Sequence, residues 1–430
     1  MASDRFFRQI AKWTAIGLLL RVALMFTAMH GQDLVFIHYF PSVCIREGTW
    51  DPYGLIRTSF PAFPSTYYGP VFYFIMIIAQ AMTRLFSDPS SLIEILKISA
   101  TMMFGDSTTA DYARAFAGKG LYKNLFLMKL PYLAFDLLMA AIILRMARAK
   151  DTALASYKLW MLNIVVLHST YAVGQFDIVP AFFVLAAALA AVRKRPYLCM
   201  VLLGLGGGTK LFPYLLIGPA AFLLGDTWRK RCALSLAAAA AAILPYVPFM
   251  LSSGNAIFGS LILGRYYSGP ARWALPAICA CLYILILIYA AKDSVRGEPA
   301  KSIIFYFLAV GFLTYAVTPI SFRYFVFITP LLALVIPGNK RFGLFMLFVI
   351  LLLAFVRLPD RDLQMGLFAP IDPGRFAGIP ALQEIIGKVV PINALYSIAA
   401  KALLFSFFGA VAWIWAIKIK SEERHIWPTI

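Results

Sequence analysis

Five charged side chains, Asp33, Asp136, Asp177, Lys210 and Arg323, stand inside or at the mouths of long apolar runs. A carboxylate or a cation costs roughly 3 kcal/mol at the centre of a membrane span and much less at its edge, so charges at such depths line cavities or pair with each other. A carboxylate can take a proton from a hydroxyl, hold a hydroxyl by hydrogen bonds, or cap a helix. A lysine or arginine can bind an anion or neutralise one of the acids. The stretch YAVGQFDIVPAFFVLAAALA, residues 171–190, sets Gln175 and Asp177 into the front of an apolar run. There the carboxylate either caps the helix beginning at Ile178 or faces a ligand, and Gln175 offers both a donor and an acceptor.

The other charged positions each carry two readings. In KLPYLAFD, residues 129–136, Asp136 lies about one and a half turns inside a span, where Lys129 or Lys158 could be its partner. In TPISFRYF, residues 318–325, Arg323 follows a proline at a span mouth and could snorkel to the interface or point inward. HGQDLVFIHYFPSVCIREGTWDPYG, residues 30–54, puts Asp33 at the membrane surface, as a helix cap or a reactive acid, ahead of an aromatic-rich interfacial segment. In LGLGGGTKLFP, residues 203–213, the glycines precede Thr209 and Lys210, but a phosphate loop needs Gly before the Lys and Ser or Thr after it. Those glycines therefore serve close helix packing, or a helix break that aims Lys210 into a cavity. His30 and His38 lack a third donor at metal-ligand spacing, and Cys199, Cys232, Cys279 and Cys281 lie in apolar runs with only Cys44 in a loop. The sequence thus calls for no metal, no cofactor and no disulfide framework.

The elements that position these residues are membrane helices. Of 430 residues 61% are hydrophobic and 14% charged, with mean hydropathy +0.79, which excludes a soluble globular protein. The net charge of +19 comes as short basic clusters between apolar runs, among them 193–195, 229–231, and Lys292 with Arg296 and Lys301. That distribution argues against nucleic acid and marks cytoplasmic turns by the positive-inside rule. Alternating the runs across the membrane predicts an all-α polytopic protein of about 12 to 14 transmembrane helices, residues 1–430 forming one integral domain. Single spans are predicted at 154–172, 211–225 and 323–337, among others. Ser90–Gly105, which holds Glu94 and Lys97, is predicted as a crossing or re-entrant element. Three long loops, 30–66, 251–272 and 358–394, then gather on the outer face, with Asp33, Glu47 and Asp51 in the first, Arg265 and Arg272 in the second, and Asp360, Asp362 and Asp372 in the third.

Taken in order, EGTWDPYG after the first-loop acid, YYGPVFYFIMIIA, KLPYLAFDLL, YAVGQFDIVPAFFVLAAALA and TKLFPYLLIGP resemble the GT-C superfamily of membrane glycosyltransferases. The resemblance covers roughly residues 10–225, with 226–430 a C-terminal helical module. It looks most like the polyprenyl-phosphate-sugar-dependent branch that includes bacterial phosphatidylinositol-mannoside mannosyltransferases. Asp33 stands between Gln32 and Leu34, without the paired acid of the lipid A aminosugar and protein O-mannosyl branches.

The resemblance implies a GT-C-like bundle with outward loops and interfacial helices, and Asp33 as catalytic base. It implies an inverting transfer of mannose or another hexose or pentose from a polyprenyl-phosphate donor to a lipid- or glycan-linked acceptor. Lys210, Arg323 and Arg265 would bind the donor phosphate, and Asp177, Gln175 and Asp136 would serve the acceptor or support the site. The expected location is the outer face of a membrane, a bacterial inner membrane being favoured. A transporter or flippase using the same charges as a relay is the rival reading, but it needs them near the midplane, whereas most lie at one face. A non-catalytic assembly partner would leave Asp33 and Arg323 without a chemical role.

Overall fold

The structure, a computed structural model, describes residues 2–59, 68–83, 85–86, 108–117, 120–147, 150–250, 274–295, 299–318 and 321–423. Ser90–Gly105, Arg265 and Arg272, singled out above, lie outside these residues. The described chain is helical throughout, with no strand. Among the described residues five helices are long and apolar enough to cross a membrane: Asp4–Thr27, Leu121–Met146, Trp228–Met250, Leu275–Asp293 and Ile392–Lys420. Six shorter apolar helices stand among them. The chain is an integral membrane protein.

The helices that build the site are α1 (Ala2–Thr27), α2 (Gly31–Arg46), α3 (Pro70–Thr83), α4 (Thr109–Phe116), α5 (Leu121–Met146), α6 (Lys150–Met161), α7 (Ile178–Val192) and α8 (Pro196–Gly207). They are followed by α9 (Ile217–Leu224), α10 (Trp228–Ile243), α11 (Ala274–Asp293), α12 (Pro299–Val317), α13 (Thr329–Val335), α14 (Lys340–Arg357) and α15 (Ile392–Glu423). One apolar core holds residues from Met25 on α1 to Ile414 on α15. Its helices α7 and α13 are buried on nearly all sides, so their sequences are apolar all round rather than amphipathic.

Three segments predicted as single spans are broken, each for a local reason. Between 154 and 172 the chain ends α6 at Met161, and Asn163 caps a new start by accepting from the N–H groups of Val165 and Val166. That turn widens into a π-helix over Leu167–Ala172, a form that recurs at functional sites. Between 211 and 225 a 3-10 turn, Phe212–Leu216, precedes α9, with Pro213 at its start. Between 323 and 337 a 3-10 turn, Phe322–Phe327, precedes α13. Each break frees backbone from the helical ladder beside other protein elements, the setting in which broken helices are tolerated at membrane depth.

Candidate active site at the head of the bundle

α1 ends at Thr27, and three residues later α2 begins with His30 at its N-cap and Asp33 in its first turn. This junction is pinned from two sides. Met29 N–H donates to the Leu367 carbonyl at 2.8 Å, and His30 N–H to the Val173 carbonyl at 3.0 Å. Beneath it the buried Lys129 of α5 donates to the carbonyls of Leu24 (3.1 Å), Ala28 and Tyr171 (2.7 Å). One ammonium thereby caps the C-terminal carbonyls of α1 and joins them to the π-helix. The π-helix leads into Gly174, whose φ of +88° favours glycine, and so into Gln175 and Asp177.

Across the site α8 stops at Gly207, and Gly208, Thr209 and Lys210 run to the next turn. Both roles foreseen for the glycines occur. Gly204 packs where a Cβ would collide with the Ala238 carbonyl of α10, and the break after Gly207 carries Lys210 inward. The Gly208 carbonyl also accepts from Val71 N–H at 3.2 Å, which brings Tyr68 over Lys210, 5.6 Å from its Nζ to the ring centroid.

Two ion pairs result. Asp33 pairs with Arg323 of the 3-10 turn, and Asp177 pairs with Lys210. Tyr324 joins them: Lys210 Nζ lies 4.2 Å from its ring centroid and the Arg323 guanidinium carbon 5.7 Å. Asp33, Arg323 and Lys210 keep 17%, 20% and 16% of their side chains exposed, while Asp177 is fully buried. The pairs therefore sit at a mouth with Asp177 at its base. Asp177 is at the N-cap position of α7 but its side chain makes no cap bond, so it is not spent on holding the helix.

His30 Nδ1 approaches Asp33 Oδ2 to 2.7 Å without hydrogen-bond geometry. Burial lowers His30 to about 4, with the neighbouring Arg323 guanidinium adding to the effect, so the imidazole beside Asp33 is neutral at pH 7.

Among the described residues eight buried polar side-chain atoms lack a hydrogen-bond partner, and all but Ser156 Oγ belong to this region. They are on His30, His168, Ser169, Thr170, Gln175 (Oε1), Asp177 (Oδ2) and Arg323 (Nε). Each such atom costs about 1 to 3 kcal/mol, and unsatisfied groups gathered in one place are more often functional than accidental.

Asp136 is elsewhere. It is fully buried against Arg21, whose Nε lies 2.6 Å from Oδ2, and it accepts from Trp160 Nε1 at 2.8 Å and Tyr171 Oη at 2.6 Å. Arg21 also donates to the Met161 carbonyl at 2.6 Å. The partner is Arg21 rather than Lys129 or Lys158, and both carboxylate oxygens are engaged. Asp136 gives both oxygens to protein partners and fastens α1 to α5 and α6. Tyr324, Tyr68, His30, Ser169 and Thr170 were not anticipated. Tyr324 stands beside Arg323 in SFRYF, Tyr68 in YYGPVFYFIMIIA and His30 in HGQD, but neither residue type nor spacing there marks any of the three as a site residue.

Residues 125–262 match Glycosyltransferase family 87. The matched segment, about a third of the chain, is similar to that family of glycosyltransferases. The matched segment contains Asp136, Gln175, Asp177 and Lys210; Asp33 and Arg323 lie outside it and reach the site through the fold. The chain is similar in structure to ArnT from Cupriavidus metallidurans in the apo state, at 14% identity over 96% of this chain and 77% of that one, with a TM-score of 0.49. No curated protein matches it.

Proposed function

We propose that this protein is a membrane glycosyltransferase of the GT-C type that moves a sugar, mannose or another hexose or pentose, from a polyprenyl-phosphate donor to a lipid- or glycan-linked acceptor at the outer membrane face, with inversion. The reading rests on one observation above all: Asp33 and Arg323, far apart in sequence, are in contact at a partly open mouth beside Lys210 and Asp177. A base and two cations brought together around Tyr324 are what the transfer requires. The acceptor hydroxyl oxygen bonds to the anomeric carbon as the bond from that carbon to the phosphate oxygen breaks. Its proton passes to Asp33, and the lipid phosphate leaves as an anion held by Arg323 and Lys210.

Each cation is engaged by an acid when no donor is bound. A donor phosphate that takes over Arg323 frees the Asp33 lone pairs, so that the base becomes available as the leaving group is secured. The orphaned Gln175 Oε1 and Asp177 Oδ2 at the base of the mouth are acceptors for sugar hydroxyls. Positive clusters at the far ends of the helices support a mouth on the outer side of the membrane, by the positive-inside rule.

The test is a panel of radiolabelled polyprenyl-phosphate sugars, incubated with the purified protein and membrane lipid extracts. Transfer of label from one donor into an extractable lipid or glycan, with the polyprenyl phosphate released, is the expected result. Hydrolysis or transfer with a nucleotide-sugar instead would replace the donor class.

A further inference from the structure

At the opposite end of the bundle a groove of about 590 Å³ opens between α9, α10 and α11. Phe222, Ile284 and Ile288 line its walls, and Arg231 and Lys292 stand at one end. Lys210 precedes the turn that leads into α9, and the groove lies beside the far end of α9 at Phe222. The 13 residues from Phe212 to Leu224 separate the two by roughly 20 Å of helix. The groove is thus remote from the candidate active site.

Its two cations are at one depth. Arg231 lies in the first turn of the span Trp228–Met250 and Lys292 in the last turn of the span Leu275–Asp293. Arg231 is fixed by donating from Nε to the Gly225 carbonyl at 2.9 Å and from Nη2 to Ser294 Oγ at 3.2 Å, which also ties the two span ends together. Its guanidinium carbon sits 5.1 Å from the Phe222 ring centroid, at the head of the apolar wall. Among the described residues the nearby acids are engaged elsewhere. Asp293 is buried with Lys418 at 2.5 Å and Tyr306 at 2.6 Å, and Asp226 pairs with Lys230 at 3.3 Å. Among the described residues neither Arg231 nor Lys292 is ion-paired.

We infer that this groove is a binding site for an anionic glycerophospholipid of the leaflet opposite the active site, acyl chain along Phe222, Ile284 and Ile288 and phosphate between Arg231 and Lys292. The charges stand where a span meets the headgroup layer and the apolar surface continues into the hydrocarbon, the arrangement such a lipid presents in reverse. The volume is within the range of pockets that hold small ligands. A zwitterionic lipid brings its own cation to the same place and gains less from Arg231 and Lys292.

The inference does not depend on the sugar chemistry. The full chain is reconstituted in nanodiscs of phosphatidylglycerol and phosphatidylcholine in equal proportions with matched acyl chains, and retained lipids are read by native mass spectrometry. Phosphatidylglycerol should be retained preferentially, and Lys292→Gln should lower that preference about fivefold, as expected for one basic residue near the headgroups. Ile288→Trp, at a residue 45% exposed, should fill the groove and reduce retention of both lipids without touching a charge. Lys230→Gln, which alters a neighbouring cation outside the groove, should leave the preference unchanged. Equal retention of the two lipids by the wild type, an equal effect of Lys230→Gln and Lys292→Gln, or displacement of the lipid by inorganic phosphate alone overturns the assignment.

Discussion

Asp33 and Arg323 are 290 positions apart in the chain and form one ion pair. Asp33 rides on the first turn of α2, and Arg323 on the 3-10 turn before α13. Their contact requires the start of α2 and the entry to α13 to meet at the same end of the bundle. Asp33→Asn keeps the shape and removes the base, so transfer should fall by roughly 10²- to 10⁴-fold in kcat while donor affinity is kept or improved. Improvement follows if the acid competes with the donor phosphate for Arg323. Turnover and donor binding measured side by side decide it, and wild-type turnover in the variant would return Asp33 to a structural role.

Arg323→Ala should weaken donor binding by about 1.5 to 3 kcal/mol, because a charge-assisted contact to an anion in a partly desolvated site is lost. Arg323→Lys should recover part of it, since an ammonium is a point charge and lacks the two-pronged geometry of a guanidinium. Titration with a polyprenyl-phosphate sugar checks both, and equal affinity across the three proteins counts against a phosphate site here.

Asp136→Asn breaks the fully buried pair with Arg21 and leaves the guanidinium uncompensated, a loss of about 3 to 5 kcal/mol in stability. The thermal midpoint in detergent should drop strongly. Activity per folded molecule, with substrates saturating, should stay near that of the wild type, and a selective rise in the KM for acceptor would restore a substrate role to Asp136.

Lys129→Met removes the donor shared by the Leu24, Ala28 and Tyr171 carbonyls, at a cost of about 2 kcal/mol or more. Because that ammonium joins the loop before Asp33 to the π-helix before Asp177, kcat should fall together with the thermal midpoint. Hydrogen exchange at residues 28–31 and 170–175 should quicken in the variant; unchanged protection there would show that Lys129 does not hold these segments together.

The neutral His30 sets a pH dependence of stability. Its folded value of about 4 lies below the ordinary 6.5, so between these limits the unfolded chain binds more protons than the folded one. His30 therefore contributes fully above about pH 6.5, and its contribution is lost as pH falls toward 4. Thermal midpoints measured across this window should decline more steeply for the wild type than for His30→Gln, and parallel curves would refute the assignment.

Sequence alone determined the class of the molecule and the residue types at its site. Hydropathy and spaced basic clusters required a polytopic helical membrane protein, since nothing else buries so much apolar surface with so few charges. Asp33, Asp177, Lys210 and Arg323 were legible for a related reason: a charge in or beside an apolar run is expensive and draws notice wherever it falls. Asp136 satisfied the same criterion and proved to be a fastening, because burial cost does not reveal whether the compensating partner is a ligand or another helix. The tertiary structure supplied that partner, Arg21, from a helix 115 positions away. It also decided which acid meets which cation, placed Tyr324 between the pairs, and turned a predicted span into a capped break with a π-helix. Such pairings depend on how broken helices pack in three dimensions, and a one-dimensional pattern of apolar and charged residues does not encode that packing in any local window.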